Sequence, residues 1–254
     1  MISQLYMWSR WALYLGRSFD ATIHTHHAVQ LTVGLDGPLC LNKGSANEQQ
    51  LPVVIISSET PHSLQAQGDW VASIYFEPES EDCERMIDYF QGNPERYFRL
   101  ANAPAGIQEQ FLNLLRTGVN PDIAQSLLRK MIEPSGRIDG QRLDTRIIKV
   151  LRYLQEGPGL TVSAAVLAHY VSLSPDRLTH LFRQEVGIPI RRFILWQKLR
   201  RATLVACQGK SLTVAAHAGG FTDSAHFTHS FQKLFGINPS FLFSPQHPLN
   251  VYVG

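Results

Sequence analysis

Hydrophobic residues in the first third of the chain recur in short runs of the kind that strands bury. Runs such as residues 30–35, 53–56 and 71–76 are rich in Val, Ile, Tyr and Phe, and turn sequences such as Asp-Gly-Pro at residues 36–38 separate them. Several short strands at this spacing are typical of a small barrel or sandwich. We therefore predict a β-barrel over residues 1–80.

The hydrophobic period changes after residue 81 to that of amphipathic helices. Apolar residues at i, i+3 and i+4 predict helices over residues 84–90, 107–116 and 121–133. Their apolar faces are larger than one small barrel needs, so we expect residues 81–133 to connect the domains and to form a homodimer interface. Residues 134–141 have the Pro, Ser and Gly content of a linker.

The remaining residues, 142–254, carry an almost continuous helical pattern. Seven helical segments span residues 143–155, 162–171, 175–186, 190–207, 213–219, 224–235 and 239–243. Gly157, Gly187, Gly209 and Gly236 follow four of them, where a left-handed residue commonly ends a helix. We therefore predict an all-α C-terminal domain within an α+β multidomain chain.

The two halves of the 254-residue chain carry opposite charge. Residues 1–133 hold nine Lys and Arg against 15 Asp and Glu, a net charge of −6, and residues 134–254 hold 14 against six, a net charge of +8. This asymmetry favours nucleic-acid or membrane contact by the basic half. No run approaches the ~18 apolar residues of a membrane helix, so we expect a nucleic acid rather than a membrane as the partner. Three dispersed cysteines favour a reducing cytoplasm.

A helical pair occurs twice within the basic half. Residues 178–182 (LTHLF) and Gly187 align with residues 227–231 (FTHSF) and Gly236 at an offset of 49, and the preceding helices align at an offset of 48. Ser174 and Asp223 stand at the N-cap of the second helix of each copy. Each copy is thus a predicted helix-turn-helix unit.

The polar face of each second helix would contact base edges in a major groove, and basic residues nearby would contact phosphates. A solvated helix face remains the alternative for any single basic residue. The predicted DNA-binding residues are Ser174, Asp176, Arg177, Thr179, His180, Arg183, Gln184, Arg191, Arg192, Lys198, Ser224, Ala225, His226, Thr228, His229, Gln232 and Lys233.

Several motifs in order give a specific family resemblance. The run GFTDSAHF at residues 220–227, the spacing of Phe231, Gly236 and Pro239, and the upstream copy resemble the signature of the AraC/XylS family of bacterial transcription regulators over residues 143–243. The resemblance implies seven helices and two recognition helices that enter successive major grooves of double-stranded DNA. It also implies RNA polymerase as a partner if the protein is an activator. His180 and His229 stand where the family often has Arg, so the family's rules for DNA contacts do not transfer directly.

A histidine-rich run lies in the acidic half. Side chains alternate along a strand, so His24, His26 and Gln30 would share one face. With the later His62, the run resembles the cupin pattern, although Gln30 replaces its Glu, and it resembles the cupin-like barrel that forms the ligand-binding half of many AraC-family regulators. We predict an effector site formed by His24, His26, Gln30, His62 and Trp8.

Three interpretations of this cluster stay open. The first is a metal-free pocket for a small-molecule effector, the second is a divalent metal site with Gln30 as a weak oxygen ligand, and the third is a set of structural histidines. The acidic stretch at residues 77–84 is expected to be a solvated connection. Candidate pocket walls are Trp8, Trp11, Tyr14, Trp70 and Tyr75.

No nucleophile elbow, P-loop or pair of catalytic carboxylates stands out, so we expect no enzyme. The sequence predicts a cytoplasmic, nucleoid-associated, DNA-binding transcription regulator controlled by an effector in the barrel. Two alternatives remain: a metal-dependent cupin enzyme fused to a DNA-binding domain, and a regulator whose barrel only dimerises.

Overall fold

The chain folds into two compact units. The computed structural model describes residues 1–8, 10–19, 21–42, 49–89, 98–99, 105–117, 120–132, 143–157, 160–244 and 247–253. One unit, the β-rich unit, comprises Met1–Asp139 and Phe231–Gly254, and the other, the helical unit, comprises Gly140–Ser230. The linker predicted at residues 134–141 lies outside the described residues, and the domain boundaries drawn from the sequence stay predictions.

The described strands of the β-rich unit form two sheets. They are β1 (Ser3–Met7), β2 (Trp11–Arg17), β3 (Val29–Gly34), β4 (Leu39–Asn42), β5 (Gln49–Leu51), β6 (Val53–Ile56), β7 (Ser63–Ala66), β8 (Trp70–Phe76), β9 (Phe98–Arg99) and β10 (Leu249–Val253). The larger sheet has the order β10-β1-β2-β8-β3-β6-β9 and the smaller one β5-β4-β7. Neighbours are antiparallel except β1 and β10, which are parallel.

The larger sheet has two different faces because its strands alternate. Leu31 of β3 and Ile74 of β8 point into a hydrophobic core, where residues of α1 (Glu81–Tyr89), α2 (Ile107–Thr117) and α3 (Pro121–Ile132) cover them. The alternate positions Gln30, Thr32 and Ser73 are buried polar residues on the other face. The apolar face thus holds the helices, and the polar face is left for a site.

The apolar faces of α2 and α3 are used within the chain rather than left over for a partner. Phe111 and Leu115 of α2 and Leu128 of α3 are buried in the core with the sheet. The surplus that suggested a homodimer interface is therefore accounted for by the sheet, and the homodimer stays a prediction without that support. Ile123, expected on the apolar face, is instead 57% exposed.

The C-terminal half contains seven described helices. They are α4 (Thr145–Glu156), α5 (Ala164–Tyr170), α6 (Pro175–Val186), α7 (Ile190–Cys207), α8 (Leu212–Ala218), α9 (Ser224–Phe235) and α10 (Pro239–Leu242). The predicted fold class is confirmed: a β-rich, cupin-like part with following helices precedes seven helices that contain two helix-turn-helix units. Among the described residues, no helix is long and apolar enough to cross a membrane.

Two details at the helix ends differ from expectation. Gly187, Gly209 and Gly236 have positive φ as predicted, but Gly157 is extended, with φ −68° and ψ 159°. The second difference is larger: strand β10 pairs with β1 over five residues, Leu249–Val253. The sequence assigned these residues to the DNA-binding domain, because neither propensity nor periodicity identifies the partner of a lone terminal strand.

Candidate functional site

The two helix-turn-helix copies share their local stabilisation. The first helices, α5 and α8, begin at Ser163 and Ser211, whose hydroxyl oxygens each accept a hydrogen bond of 3.3 Å from the backbone N–H three residues on. These caps satisfy N–H groups that the first turn of a helix leaves without partners. The repeat found in the sequence is therefore also a repeat of stabilising contacts.

The turn between the helices needs a left-handed residue in both copies. Ser172 has φ 56° in the first copy, and Gly220, 48 residues later, has φ 82° in the second. A backbone hydrogen bond of 2.9 Å closes each turn, from Leu173 N to Ala168 O and between the equivalent atoms of the second copy. Serine at this position is uncommon because its Cβ is crowded there, whereas glycine adopts the conformation freely.

The second helices, α6 and α9, begin at the two predicted N-cap residues. Ser174 Oγ accepts a hydrogen bond of 3.2 Å from the Arg177 backbone N–H. Asp223 Oδ1 accepts a shorter one, 2.7 Å, from the His226 backbone N–H. Hydrogen bonds from His226 and Thr222 lower the pKa of the Asp223 carboxyl, so it is charged at the positive end of the helix dipole.

The residues predicted to contact DNA lie mostly on exposed helix faces. Those that are half-buried are Lys198, Ser224 and Thr228. The apolar stripe on the opposite side is buried as predicted, with Phe182 and Phe227 both 0% exposed. Exposed are Ser174, Asp176, Arg177, Thr179, His180, Arg183, Gln184, Arg191, Arg192, Ala225, His226, His229, Gln232 and Lys233.

Lys198 has an internal role that sequence reasoning missed. Its Nζ donates a hydrogen bond of 2.9 Å to the carbonyl oxygen of Gly220, in the turn of the second copy. A lysine three turns along a basic helix carries no signal for such a contact, because the partner is a backbone atom 22 residues away. Phosphate contact by Lys198 stays a prediction, and it competes with this bond.

The second candidate site brings three histidines together in the β-rich unit. The backbones of His24 and His62 form a bridge with N···O distances of 2.9 and 3.0 Å, although neither residue lies in a strand. The ring centroid of His62 lies 4.3 Å from that of His24 and 5.0 Å from that of His26. Candidate ligand atoms of the three residues all lie within 4.8 Å of one another.

Backbone hydrogen bonds set the tautomer of these rings. Each Nδ1 lies 2.8 Å from a backbone carbonyl oxygen two residues along the chain. A carbonyl oxygen only accepts, so Nδ1 carries the proton and Nε2 carries the lone pair. Among the residues that the structure describes, His62 Nε2 has no hydrogen-bond partner although His62 is fully buried. The cluster therefore presents buried acceptor nitrogens.

Gln30 completes the hydrogen bonding of His26. The side-chain amide of Gln30 lies 2.9 Å from His26 Nε2 and 2.9 Å from Thr32 Oγ1. In the structure Gln30 Oε1 faces His26 Nε2, and the amide NH2 of Gln30 donates to Thr32 Oγ1. A lone pair on His26 Nε2 instead calls for the amide turned over, with its NH2 towards the ring and its oxygen towards Thr32.

Burial keeps the cluster neutral. Desolvation and, after it, the neighbouring histidines together lower the pKa of His26 from 6.5 to about 4 and that of His62 to about 3, against the smaller raising effect of their hydrogen bonds. Burial also lowers the pKa of His24. The three rings are therefore uncharged near neutral pH, and they suit a metal cation or a hydrogen-bond donor better than an anion.

The donor set fits a divalent metal ion. Zinc binds neutral histidine nitrogen at about 2.0–2.1 Å, and the carbonyl behind each ring is the kind of partner that orients metal-binding histidines. One candidate ligand atom from each ring lies within 4.8 Å of the other two, so the three can converge on one ion. The residues that would hold the ion are His24, His26 and His62.

The predicted aromatic walls divide between the two faces of the sheet. Trp8 stacks on Tyr6 and Trp11, at centroid distances of 5.5 and 4.0 Å, in the helix-covered core rather than beside the histidines. Tyr75 does reach the site, with its ring 5.7 Å from that of His26, and burial raises its pKa to about 12. Trp8 as an effector contact stays a prediction, but the structure does not bring it to the cluster.

The acidic stretch at residues 77–84 is partly buried, contrary to expectation. Glu77 is 3% exposed, and Glu79 Oε2 lies 2.9 Å from His27 Nε2, with both side chains at most 5% exposed. A pair of buried groups this far apart in sequence is set by the tertiary fold.

The comparisons with known proteins agree with the helical half of the site. A helix-turn-helix domain family matches residues 167–244. The Arabinose operon regulatory protein of Escherichia coli (strain K12) is 30% identical over 120 residues, which are 46% of this chain and 41% of that protein. The chain thus spans about two fifths of the length of the arabinose regulators it matches. The Probable transcriptional regulator LumQ of Photobacterium leiognathi is 25% identical over 240 residues, 86% of this chain and 90% of that protein.

Solved structures extend the likeness to the whole fold. ToxT from Vibrio cholerae O395 has a TM-score of 0.58 at 13% identity, covering 92% of this chain and 96% of that one. ToxT from Vibrio cholerae strain SCE256, determined with a bound unsaturated fatty acid, has a TM-score of 0.55 at 11% identity, covering 92% and 94%. The predicted resemblance to AraC-type regulators with a cupin-like N-terminal part is confirmed.

Proposed function

We propose that this chain is a DNA-binding transcription regulator in which α6 and α9 read successive major grooves. The observation that carries the proposal is the duplicated helix pair, with matching caps, turns and buried stripes and an exposed polar face on each second helix. The net charge of +8 on residues 134–254 supplies the attraction to phosphates. The regulators among its relatives support the same function.

We further propose that a ligand at the histidine cluster controls DNA binding. Support comes from the burial of three neutral histidines around an acceptor nitrogen that has no hydrogen-bond partner. The fatty acid bound by ToxT supports a small-molecule effector, which here would donate a hydrogen bond to the rings. A metal ion is the second candidate, favoured by the mutual 4.8 Å spacing of the ligand atoms.

The remaining partners are proposals that follow from the regulator function. A regulator of this kind acts in the bacterial cytoplasm on the nucleoid, contacts RNA polymerase if it activates, and gains affinity if it binds DNA as a homodimer. No catalytic step is proposed, since the relatives are transcription regulators.

Selection of bound sequences from a random double-stranded DNA pool tests the DNA-binding proposal. We expect the full chain to enrich two short elements about 10–10.5 base pairs apart, because the two recognition helices would enter adjacent turns of one DNA face. Arg177→Ala on α6 should weaken binding by about 1–3 kcal/mol if it contacts a base. Lys149→Ala, on an exposed position of α4 outside both second helices, is the matched charge control.

The number of enriched DNA elements distinguishes DNA binding itself from the paired arrangement of the two recognition helices. Enrichment of a single element would leave one helix as the reader and contradict the paired arrangement. No enrichment by the folded chain would contradict the function itself.

Thermal-shift measurements on the purified chain test the ligand proposal. Zn²⁺ and small neutral hydrogen-bond donors, such as alcohols, are added separately, and binding to the folded state raises the melting temperature by mass action. His62→Gln should abolish the shift produced by a ligand of the cluster, whereas His217→Gln, an exposed histidine of α8, should not. A shift that survives His62→Gln would place the ligand elsewhere.

A further inference from the structure

The second recognition helix ends inside the β-rich unit. Residues from Phe231 onward cluster with Met1–Asp139 rather than with the preceding helices. Three contacts anchor them: β10 pairs with β1, Tyr252 stacks on Tyr6 at 5.2 Å, and the Phe241 ring meets that of Phe19 at 5.6 Å. The last turn of α9 is thus held on the same unit as the histidine cluster.

That turn lies directly against the cluster. The Phe235 ring lies 6.4 Å from the His26 ring and 6.3 Å, edge to face, from the Tyr75 ring. The Gly236 carbonyl accepts two hydrogen bonds from Thr22, from its N–H at 3.1 Å and from its hydroxyl at 3.2 Å. The Thr22 carbonyl in turn accepts from His24 Nδ1 at 2.8 Å, so a chain of hydrogen bonds joins the helix end to a ring of the cluster.

The fit at Gly236 leaves no room for a side chain. A Cβ at this position would lie 2.5 Å from the Thr22 carbonyl oxygen and 2.7 Å from His24 Nδ1. The equivalent glycine of the first copy, Gly187, has a similar φ of 84°, against 71° at Gly236, but nothing lies within 4 Å of its Cβ position. The close contact is therefore a property of the second copy and not of the helix-turn-helix unit.

We propose that Phe235 and Gly236 cover the histidine cluster. In one state the last turn of α9 packs on the cluster, and in the other that turn has moved away and a ligand occupies the cluster, so the two states exclude each other. The three ligand nitrogens are close enough for one ion. The Phe235 ring packs beside His26, so we infer that a larger molecule entering on that side would have to displace this ring. Release of the turn also frees the end of α9, a single helix that carries predicted DNA contacts. This inference rests on the proposed function, in which the cluster binds a ligand and α9 reads DNA.

Chemical access to the histidines tests the cover without knowledge of the ligand. Diethyl pyrocarbonate acylates unprotonated imidazole nitrogen, and peptide mass spectrometry assigns the modified residue. We expect modification of His26 and His62 in the full chain to be about tenfold faster in Gly236→Ala, within the range of coupling between linked sites. Gly187→Ala, which carries the same left-handed strain without the contact, should match the unmodified chain.

Phe235→Ala keeps the test decisive if Gly236→Ala fails to fold. It removes the ring without backbone strain and should give the same rise in access, with circular dichroism confirming the fold. Equal access in Phe235→Ala, Gly187→Ala and the unmodified chain would overturn the cover.

DNA binding distinguishes the inference from the function on which it rests. With the DNA selected above, both releasing variants should bind the element read by α9 about tenfold more tightly and leave the element read by α6 unchanged, because the seated state is the restrained one. Binding that responds identically in Gly236→Ala and Gly187→Ala would overturn the coupling to α9. Absence of DNA binding in every folded variant, with the access difference intact, would overturn the regulator function and the coupling together while supporting the cover.

Discussion

The two helix-turn-helix copies have nearly the same local structure and different surroundings. In the first copy, Leu178, Phe182 and Val186 pack into the core of the helical unit, and Gly187 ends the helix in open space. In the second copy, the helix ends on the β-rich unit, where Gly236 touches Thr22 and His24. The two copies therefore share their N-cap hydrogen bonds, their turns and their buried apolar residues, but they differ in the residues that surround them. The second helix of the first copy ends without such a contact, and that of the second copy ends against the candidate ligand site.

Replacing the equivalent buried phenylalanine of each copy by alanine should destabilise a different part of the molecule. Phe182→Ala and Phe231→Ala, 49 residues apart, each remove a buried ring that is at most 2% exposed, and we expect each to cost about 3–5 kcal/mol of stability. Hydrogen exchange should place the loss from Phe182→Ala in the helical unit and that from Phe231→Ala in the C-terminal segment of the β-rich unit. Loss of protection in the same residues for both variants would show that the copies share one cooperative unit.

Mildly acidic pH should destabilise the β-rich unit, against which the second copy ends. The unfolded chain takes up protons on His26 and His62 near their ordinary pKa of 6.5, whereas the folded chain does so only near about 4 and about 3. The contribution of these two neutral histidines to the stability of the β-rich unit is therefore fully present above pH 6.5. It is lost progressively as the pH falls from 6.5 towards the folded-state pKa values of about 4 and about 3. Within that window each histidine contributes about 1.4 kcal/mol per pH unit.

Denaturant unfolding between pH 7 and pH 5, with a chelator present, measures this slope. His62→Gln should make the slope shallower, and His217→Gln, at an exposed position, should leave it unchanged. A slope that does not change in His62→Gln would contradict the neutral, buried state of that ring.

The smallest expected effect shows whether Lys198 stabilises the turn of the second copy or contacts a phosphate of DNA. Lys198→Met removes the hydrogen bond to the Gly220 carbonyl and should destabilise the second copy by about 1 kcal/mol. It should leave the salt dependence of DNA binding unchanged, because the ammonium is engaged within the protein. Arg191→Ala, at an exposed position at the start of α7, should instead lower the salt slope by about one. A lower slope for Lys198→Met as well would restore Lys198 as a phosphate contact.

Local features could be read from the sequence with good accuracy. The bounds of α6 (Pro175–Val186), α7 (Ile190–Cys207) and α9 (Ser224–Phe235) match the expected ranges, because caps, glycines and apolar spacing all agree there. The histidine cluster was also expected, although its residues lie outside regular strands. A repeated polar residue at every second position, as at Gln30 and Thr32, was the available signal for the polar face of the sheet.

Other features were decided by the tertiary structure. The sequence by itself determined the seven helices, the duplicated helix pair and the residue types at the cluster, since these depend on neighbours within a few positions. Only the fold decided that Trp8 packs into the helix-covered core, that the helices of residues 81–132 cover their own sheet, and that β10 and Gly236 close on the β-rich unit. Such contacts join different elements of the chain, and their free energy depends on shape and burial that no local pattern records.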